Sequence, residues 1–321
     1  MTGLSWPLVT SLTMASGLLL DWWLGEPRRW HPLVGFGNLA NRLERRFNTG
    51  GARSWRGALG WSLAVLPLCA VALALTIWVA RHSMLLAAAL HALMLYFALG
   101  LRSLYDHTRP IEMALDAGQL DEARRLTARI VTRDTTQADP EALAKAAVES
   151  LLENGNDAVF GTLFWFAVGG GSAALLFRLA NTLDAMWGYR SERFLQFGCV
   201  AARVDDVLNW IPARLTALSY ALFGRTGLAL RCWRQQAPAW PSPNAGPVMA
   251  AGAGALGLAL GGVACYDGIL AQRPPLGQGR APQARDIGRA WRLVAMTTVM
   301  WLTITVVVAV LTTTIFSASG V

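Results

Sequence analysis

Long stretches without a charged side chain constrain this chain more than any other feature. Residues 57–80, 84–101, 158–177 and 293–321 contain no Asp, Glu, Lys or Arg. A helix that crosses the core of a bilayer needs about 20 mostly apolar residues, and these stretches meet that length. The sequence therefore predicts an all-α, polytopic helical membrane protein. We expect a single integral membrane domain over 1–321, with apolar segments at about 4–20, 57–80, 84–101, 158–177, 246–266 and 293–316.

Charge is confined to the polar connections between these segments. The chain is 54% hydrophobic and only 15% charged, with a net charge of +8, whereas soluble domains average about 25% charged residues. Loops rich in arginine are typical of the side of the membrane that faces the anionic inner leaflet. We therefore expect two polar stretches to be cytoplasmic: 21–56, which contains Arg28 and Arg29, and 102–157. No basic stripe with aromatic platforms is present, so we expect no nucleic-acid partner.

Two apolar segments are unusually rich in glycine. Gly169, Gly170 and Gly171 follow one another in segment 158–177, and three successive glycines weaken a helix. Segment 246–266 carries six glycines. We expect either re-entrant or broken helices, with the freed backbone groups covered by protein, or plain crossings that pack closely through small residues.

Capping signals delimit the helices of the polar stretches. An amphipathic pattern predicts a helix over Asp121–Val131. Asp139 before Pro140 predicts an N-cap with proline at the first helical position, and Asn154–Gly155 predicts the end of that helix. Pro212 is expected to end or kink a long helix that contains residues 203–214.

The stretch from Arg203 to Arg214 contains the most informative polar group. Asp205 and Asn209 are four residues apart and share a helix face, with Asp206 beside them. Neighbouring carboxylates in apolar surroundings repel each other unless a cation joins them, and Mg²⁺ suits such a pair. The alternative is a structural ion pair with Arg203 or Arg214.

A second acidic group closes the helix that begins at Pro140. Glu149 and Glu153 are four residues apart, and Asp157 follows one turn later. Together with Ser150, Asn154 and Asn156 they place six oxygen-bearing side chains within nine residues. This group is typical of a site for a hydrated metal or a polar ligand, although a solvated acidic face would look the same.

Several shorter patterns accompany the two acidic groups. Arg133–Thr136 supplies a cation and hydroxyls for phosphate, and Asn181 and Asp184 share a helix face. His31 is not part of a cluster with the other three histidines. An isolated histidine of this kind is more often structural than catalytic. Ser242–Gly246 forms a polar turn before a glycine-rich segment, where backbone amides could approach a ligand closely.

Together these patterns resemble the adenosylcobinamide-phosphate synthase family of cobalamin biosynthesis through most of the chain. The matching pieces are Leu20–Asp21, Gly25–Glu26–Pro27, His31–Pro32, Arg133–Asp134–Thr135, Glu149–Ser150, Glu153–Asn154, Asp157, Asn181–Met186, Gly188–Tyr189, Ala202–Asp206, Asn209, Pro212–Arg214 and Ser242–Gly246. Two stretches depart from the family pattern, at Ala158–Thr162 and at Pro247–Met249. The second lacks a glutamate that the family usually has.

The resemblance implies ATP-dependent amide formation between adenosylcobyric acid and aminopropanol phosphate or ethanolamine phosphate. The implied site is cytoplasmic, in a multi-pass protein of the bacterial inner membrane, with ATP and Mg²⁺ as cofactors and the corrinoid as substrate. A homo-oligomer or other cobalamin-assembly enzymes are the expected protein partners, beside the lipid bilayer. The predicted catalytic residues are Glu149, Glu153, Asp157, Asp205 and Asp206, with Asp205, Asp206 and Glu153 as magnesium ligands. The predicted substrate- or nucleotide-binding residues are His31, Arg133, Asn154, Asn181, Asp184, Arg203, Asn209, Arg214 and Asn244.

Two other classes remain open at the level of sequence. A non-catalytic membrane sensor related to the regulators of β-lactamase induction would share the layout, but it need not keep the acidic and asparagine groups. A small-molecule transporter would place a midplane site at the glycine-rich segments. Segment 158–177, however, offers only Thr162 and Ser172 as polar side chains beside its glycines.

Overall fold

Helices form most of the chain in a computed structural model that describes residues 6–27, 31–266 and 268–318. The helices are α1 (Trp6–Leu24), α2 (Pro32–Phe47), α3 (Arg53–His82), α4 (Met84–Ala98), α5 (Leu101–Asp116), α6 (Leu120–Thr127), α7 (Pro140–Asn154), α8 (Gly161–Trp187), α9 (Cys199–Leu222), α10 (Thr226–Gln236), α11 (Ala245–Leu256) and α12 (Ala284–Ala318). Some predictions fall outside the described residues. They concern Arg28 and Arg29, which we predicted to be cytoplasmic, and residues 4–5 and 319–321 at the ends of two predicted apolar stretches.

Four helical runs are long and apolar enough to cross a membrane. They are Arg53–His82, Met84–Asp116, Pro140–Trp187 and Ala284–Ile315. Three of them contain a whole uncharged stretch and the fourth contains most of one, which confirms the prediction of a polytopic helical membrane protein. Helix α1 also forms where segment 4–20 predicts one, although its mean hydropathy does not place it among these four runs.

The chain divides into two compact units, each built from separated segments. The first comprises the described residues of Met1–Gly100, Gly161–Asn209 and Trp301–Val321. The second comprises Leu101–Phe160 and the described residues of Trp210–Met300. The prediction of one membrane domain stays a prediction.

The core of the first unit lies where α2, α3, α8 and the beginning of α9 meet. Phe36 and Ala40 of α2 pack there with Trp61 of α3 and Trp187 of α8. Phe197, which precedes α9, crosses Trp187 edge-to-face with ring centroids 5.0 Å apart. This core holds the first turns of α9 beside α8, and both helices carry predicted site residues.

Helix α8 is broken inside the membrane-length run, which favours the first of the two alternatives that the three glycines left open. Gly169 and Gly170 have non-helical dihedral angles, with φ of −143° and +66° respectively. His91 of α4 fills the break, because its Nδ1 accepts a hydrogen bond of 2.8 Å from the backbone N–H of Gly171. A backbone group freed by the break is therefore satisfied by protein, as a lipid environment requires.

The second unit packs its helices around α7 and the short helix α11. Leu143 of α7 joins Ala114 of α5 and Ala123 of α6 in one small core. Gly252 of α11 lies so close to Leu152 of α7 that an added Cβ would stand 2.7 Å from its Cδ2. Every residue of α11 from Gly246 to Leu256 is buried, so small side chains here serve close packing inside protein.

Segment 246–266 is not one membrane helix, so the prediction of a plain crossing is wrong there. Helix α11 has 12 residues and a length of about 18 Å, short of the roughly 30 Å core of a bilayer. The chain leaves α11 at Gly257, which has a φ of +68°. It then forms an antiparallel hairpin of β1 (Leu260–Tyr266) and β2 (Ile269–Leu276).

Three predicted helix ends also differ from the structure. The amphipathic helix ends at Thr127, four residues before its predicted end at Val131. Asp139 caps α7 as predicted, but Asn154–Gly155 does not stop the chain, which continues through a π-helical turn, Gly155–Phe160, into α8. Pro212 does not end α9, which runs on to Leu222, because one proline removes only one backbone donor from a helix that packing supports. The alternative, a kink at Pro212, stays a prediction.

Candidate active site

A buried glutamate of α7 lies at the centre of an ionic cluster in the second unit. The side chain of Glu149 is 3% exposed. Its Oε2 accepts hydrogen bonds from Arg133 at 2.5 Å and from Arg273 at 2.8 Å. Its Oε1 accepts from the backbone N–H of Gly261 at 2.7 Å and from Arg273 at 3.2 Å. We call Glu149 a compensated carboxylate, because cations and a backbone donor surround its negative charge. The alternative that Glu149 belongs to an acidic helix face exposed to water is therefore excluded.

The loop before α7 is held in place and carries Arg133 into this cluster. The backbone N–H of Asp134 donates to the carbonyl of Cys265 in β1 at 2.9 Å. The carboxylate of Asp134 accepts from the N–H and the hydroxyl of Thr136, and these bonds hold the pKa of Asp134 below its usual value. The predicted phosphate loop is thus ordered by its own turn and by the hairpin.

A bulge in the hairpin supplies the other two donors to Glu149. The pairing register shifts between Gly261 and Gly262, and Gly262 pairs with Arg273 on the opposite strand. Gly261 has a φ of +73°, which favours glycine, and its N–H points to Glu149. Burial opposes the charge of Arg273, but the hydrogen bonds to Glu149 outweigh that cost and raise the pKa of the guanidinium.

A cavity of about 300 Å³ opens beside this cluster. Arg133, Glu149, Arg273 and Glu153 line it, together with Ser150, Asn154, Trp240, Met249 and Tyr266. Among the described residues, the carboxylate of Glu153 has neither an ion pair nor a hydrogen bond, although Glu149 lies one turn away on the same helix face. A second cavity of about 400 Å³ shares Ser150 and Asn154 and extends to His107 and Arg129.

Asp157 lies in the π-helical turn and does not line either of these cavities. Its Oδ1 accepts a hydrogen bond of 2.9 Å from the amide of Asn156. The Oδ1 of Asn156 accepts one of 3.0 Å from Thr216 of α9. The structure therefore places Asp157 in a network that joins two helices, and its predicted catalytic role stays a prediction.

Arg214 and Asn244, predicted from distant parts of the sequence, are in direct contact. Arg214 Nη1 donates to Asn244 Oδ1 at 2.6 Å, and Nη2 donates to the carbonyl of Pro243 at 3.0 Å. The guanidinium carbon also lies 4.6 Å from the ring centroid of Trp210. Arg214 thus fixes the polar turn before α11.

The first unit contains a separate polar cluster around Asp205. Asp205 is 7% exposed. Its Oδ1 accepts from Asn181 of α8 at 3.2 Å, and its Oδ2 accepts from Asn209 at 3.4 Å. Arg178 donates in turn to Asn181 Oδ1 at 3.3 Å. Three predicted site residues from two helices therefore meet here. Spacing along α9 predicted the pair Asp205 and Asn209, whereas the contact with Asn181 comes from the packing of α8 against α9.

Three other predicted residues of the first unit differ in their burial. Asp206 is half-buried and Arg203 is exposed on α9. Asp184 is half-buried near the end of α8, where its carbonyl accepts from the N–H of Gly188 at 2.7 Å. Their predicted roles in metal, phosphate and ligand binding stay predictions.

His31 has a structural position at the beginning of α2. It is the N-cap residue, and its Nδ1 accepts a hydrogen bond of 3.2 Å from the N–H of Leu33. Burial lowers the pKa of His31, which keeps the ring neutral at pH 7 and suited to accept that bond. This contact accounts for the histidine without a ligand, and its binding role stays a prediction.

The donor chemistry restricts how a metal could bind. Within the described part of the chain, no group of three or more His, Cys, Asp or Glu side chains could hold a metal ion. Asp205 with Asp206 nevertheless offers hard oxygen donors of the kind that Mg²⁺ takes when one or two carboxylates are completed by phosphate and water. These residues fit Mg²⁺ bound together with a phosphate substrate. Glu153 belongs to the other unit, so the three-residue magnesium set stays a prediction.

Comparison with known proteins decides the family. The sequence model described as CobD/Cbib protein matches residues 14–294. A cobalamin biosynthesis protein CobD of Stutzerimonas stutzeri is 56% identical over 298 residues, which cover 91% of this chain and 95% of that protein. The chain belongs to the CobD/Cbib family. No solved structure matches it.

Less similar members of the CobD/Cbib family also align with most of this chain. A protein of the same name from Chromobacterium violaceum is 50% identical, with 94% of this chain and 97% of that protein covered. One from Mycobacterium tuberculosis is 40% identical, with 85% of this chain and 88% of that protein covered. The resemblance stated from short motifs therefore extends over most of the chain.

Sequence reasoning missed several residues of this CobD/Cbib chain that complete the two clusters. Arg273 and the N–H of Gly261 bind Glu149, and Arg178 binds Asn181. Arg178 lies three residues before Asn181, so helix spacing could have indicated it. The pair Gly261–Gly262 signals a bulge within a strand, but 246–266 was interpreted as a membrane segment, which hid both the hairpin and Arg273.

Proposed function

We propose that this protein acts in cobalamin biosynthesis as an ATP-dependent ligase. It would join the free propionate of adenosylcobyric acid to the amine of aminopropanol phosphate or ethanolamine phosphate and give adenosylcobinamide phosphate. Membership of the CobD/Cbib family supports the pathway. The observation that carries the reaction is the contrast in the cavity of the second unit, where Glu149 is compensated by two arginines and Glu153 is not.

The reaction needs an activated acyl group and a deprotonated amine. A carboxylate is a poor acylating agent, so the propionate oxygen takes the γ-phosphoryl group of ATP and releases ADP. The amine then attacks the acyl carbon, an ammonium proton passes to a base, and inorganic phosphate leaves as the amide forms. Each step conserves atoms and charge.

Glu153 is suited to the role of the base. Its carboxylate lines the cavity and has no described partner, so it can accept a proton from an amine that enters there. Asn154 and Ser150 line both cavities and could orient the propionate between them. Arg133 and Arg273 supply positive charge for phosphate oxygens.

Asp205 and Asp206 are the residues that would hold Mg²⁺ with the nucleotide. When bound, Mg²⁺ supplies charge neutralisation for the phosphate oxygens in the phosphoryl transfer. Asn181 and Asn209 fix the rotamer of Asp205 by their hydrogen bonds to its two oxygens. Arg203 and Arg214 are further cations for phosphate in this proposal, and Asn244 and Asp184 would orient the corrinoid or the nucleotide.

The location follows from the same proposal. The four membrane-length helices make the chain a membrane protein. We place it in the bacterial inner membrane with the site facing the cytoplasm, where ATP is available. The arginine-rich connections are consistent with that orientation, and a homo-oligomer or other cobalamin-assembly enzymes are its proposed partners.

The test is a reconstituted reaction. Purified protein in detergent receives MgATP, adenosylcobyric acid and one amino-alcohol phosphate, and ADP release and product mass are followed together. We expect one ADP for each amide formed, and no product when any single component is omitted. No coupled turnover with either amino-alcohol phosphate would refute the ligase and favour a non-catalytic membrane sensor.

A further inference from the structure

We propose that the cavity of about 300 Å³ in the second unit is the pocket for the amino-alcohol phosphate. Arg133 and Arg273 would bind its phosphate, and Glu153 would bind its ammonium group. The inference rests on the proposed ligase function and names the substrate of this site. It also changes the role of Glu149 from a catalytic residue to a positioning residue for the two arginines.

The hydrogen-bonding capacity of the two arginines supports a phosphate at this place. A guanidinium has five N–H donors. Arg133 uses one bond to Glu149 among its described contacts, and it lines the cavity with its side chain 14% exposed. Arg273 is bound more fully, by two bonds to Glu149 and one of 3.3 Å to the carbonyl of Gly262. Arg133 therefore has the larger spare capacity for phosphate.

Glu149 explains how two like charges can stay side by side in a buried wall. Two guanidinium groups repel each other, and the carboxylate between them offsets that repulsion. Because Glu149 accepts four hydrogen bonds, its remaining capacity for a ligand is small. Its contribution is to hold Arg133 and Arg273 in fixed positions.

The charge balance favours a zwitterion over a nucleotide. Glu149 offsets one of the two arginine charges, so the wall keeps positive charge for one phosphate group, whereas a triphosphate would bring more negative charge than the two guanidinium groups can balance beside the carboxyl of Glu153. An amino-alcohol phosphate carries its anionic and cationic ends on one short chain. Each end then finds an opposite charge in the wall.

The size and the remaining walls also fit a short chain. A volume of about 300 Å³ is at the lower limit of ligand pockets, which suits a molecule of a few carbon atoms and not a corrinoid ring. Trp240, Met249 and Val131 provide apolar contact for those carbons. Trp240 also stacks near Arg273, with 5.8 Å between the guanidinium carbon and the ring centroid.

Binding of three probes tests the two ends of the pocket separately. Calorimetry on the full-length protein in detergent, with and without ADP, measures the Kd of each probe. The probes are aminopropanol phosphate, propyl phosphate, which lacks the amine, and aminopropanol, which lacks the phosphate. We expect Arg133→Gln to weaken both phosphates by about tenfold or more and to leave aminopropanol unchanged. Glu153→Gln should weaken the two amines and spare propyl phosphate.

A matched control separates specific contacts from general effects on charge. Arg125 forms an exposed ion pair with Glu122 in α6, outside the cavity, so Arg125→Gln should leave all three Kd values unchanged. Absence of binding in every condition, or equal effects of Arg133→Gln and Glu153→Gln on all probes, would overturn the pocket. Thermal unfolding of each variant confirms that the comparison is made on folded protein.

The outcome for the pocket is distinguishable from that for the ligase. If the probes bind as expected while no amide forms, the ligase fails and the pocket stands. If amide forms with a KM for aminopropanol phosphate that neither substitution changes, the ligase stands and the pocket lies elsewhere.

Discussion

Two successive turns of α7 carry the same residue type in opposite environments. Glu149 accepts hydrogen bonds from Arg133, Arg273 and the backbone of Gly261. Glu153, one turn later and on the wall of the same cavity, has no ion pair or hydrogen bond among the described residues. The difference arises because the hydrogen-bond donors of the hairpin and of the loop before α7 reach Glu149 but do not bond to Glu153.

This contrast shows that residue identity and spacing do not assign a role to an acid. A carboxylate compensated by cations contributes to stability and leaves little capacity for a ligand. A buried carboxyl group without such partners is less stabilised in its charged form, so it readily accepts a proton or binds a cation that restores the missing compensation. The predictions that follow separate these two cases, beginning with the largest expected effect.

The largest effect is expected at Glu153. Replacing a general base by an isosteric amide removes proton acceptance and lowers turnover by about 10²- to 10⁴-fold. Because Glu153→Gln breaks no described bond, the thermal midpoint should stay close to that of the parent. Rates come from ADP release and product mass. Turnover within twofold of the parent would remove Glu153 from the mechanism.

Glu149→Gln should act mainly on stability. The amide has the same shape but leaves two buried guanidinium groups without a counter-charge, and breaking such a pair costs about 3–5 kcal/mol. Thermal unfolding in detergent measures the loss. The matched control is Glu122→Gln, which breaks the exposed pair with Arg125 and should lower the thermal midpoint far less, because water screens an exposed ion pair. Equal losses in the two variants would refute the contrast.

Asp205 extends the comparison to the first unit. If its carboxylate binds Mg²⁺ with the nucleotide, Asp205→Asn should lower turnover by about 10²-fold and raise the Mg²⁺ concentration needed for half-maximal rate. The substitution keeps the shape between Asn181 and Asn209, so large unfolding is not expected. An unchanged magnesium dependence, measured at saturating ATP, would argue for a structural acid.

The smallest effect is expected at Glu44, another compensated carboxylate. Hydrogen bonding to Arg193 holds the pKa of Glu44 below its ordinary value of 4.5. The pair therefore contributes its full stability above about pH 4.5 and loses it as the pH falls through the lowered pKa. Arg193 is 62% exposed, so water screens the ion pair and its contribution to the free energy of unfolding is small.

The measurement compares unfolding midpoints of the parent and of Glu44→Gln between pH 3 and pH 7. The difference between the two proteins should be largest at neutral pH and should vanish at the acidic end. A difference that grows as the pH falls would have the wrong sign for a carboxylate with a lowered pKa.

The helices that face lipid were predictable because hydropathy alone reports a bilayer crossing. The uncharged stretches 57–80 and 84–101 each lie within one of the four membrane-length helical runs, and segment 293–316 lies within another except for its last residue. The break at Gly169–Gly170 was also predictable, since consecutive glycines favour a non-helical backbone. Segment 246–266 misled the same reasoning, because an apolar segment buried in protein has the same composition as one buried in lipid.

Local spacing predicted part of the candidate site. The four-residue spacing of Asp205 and Asn209 placed them on one face, where both bond as expected. No spacing rule could join Glu149 to Arg273, which is 124 residues later. Arg133 was predicted to bind phosphate directly, and its bond to Glu149 appears only when the loop and α7 are packed together.

By itself, the sequence determined that the chain is a helical membrane protein, where it crosses, and which polar groups accompany the crossings. Those properties follow from hydropathy and from distances of a few residues along a helix. Only the tertiary structure decided which carboxylates are compensated and which are not. A charge is compensated by atoms within about 4 Å of it, and here those atoms come from a hairpin and a loop that the chain brings back from far along its length.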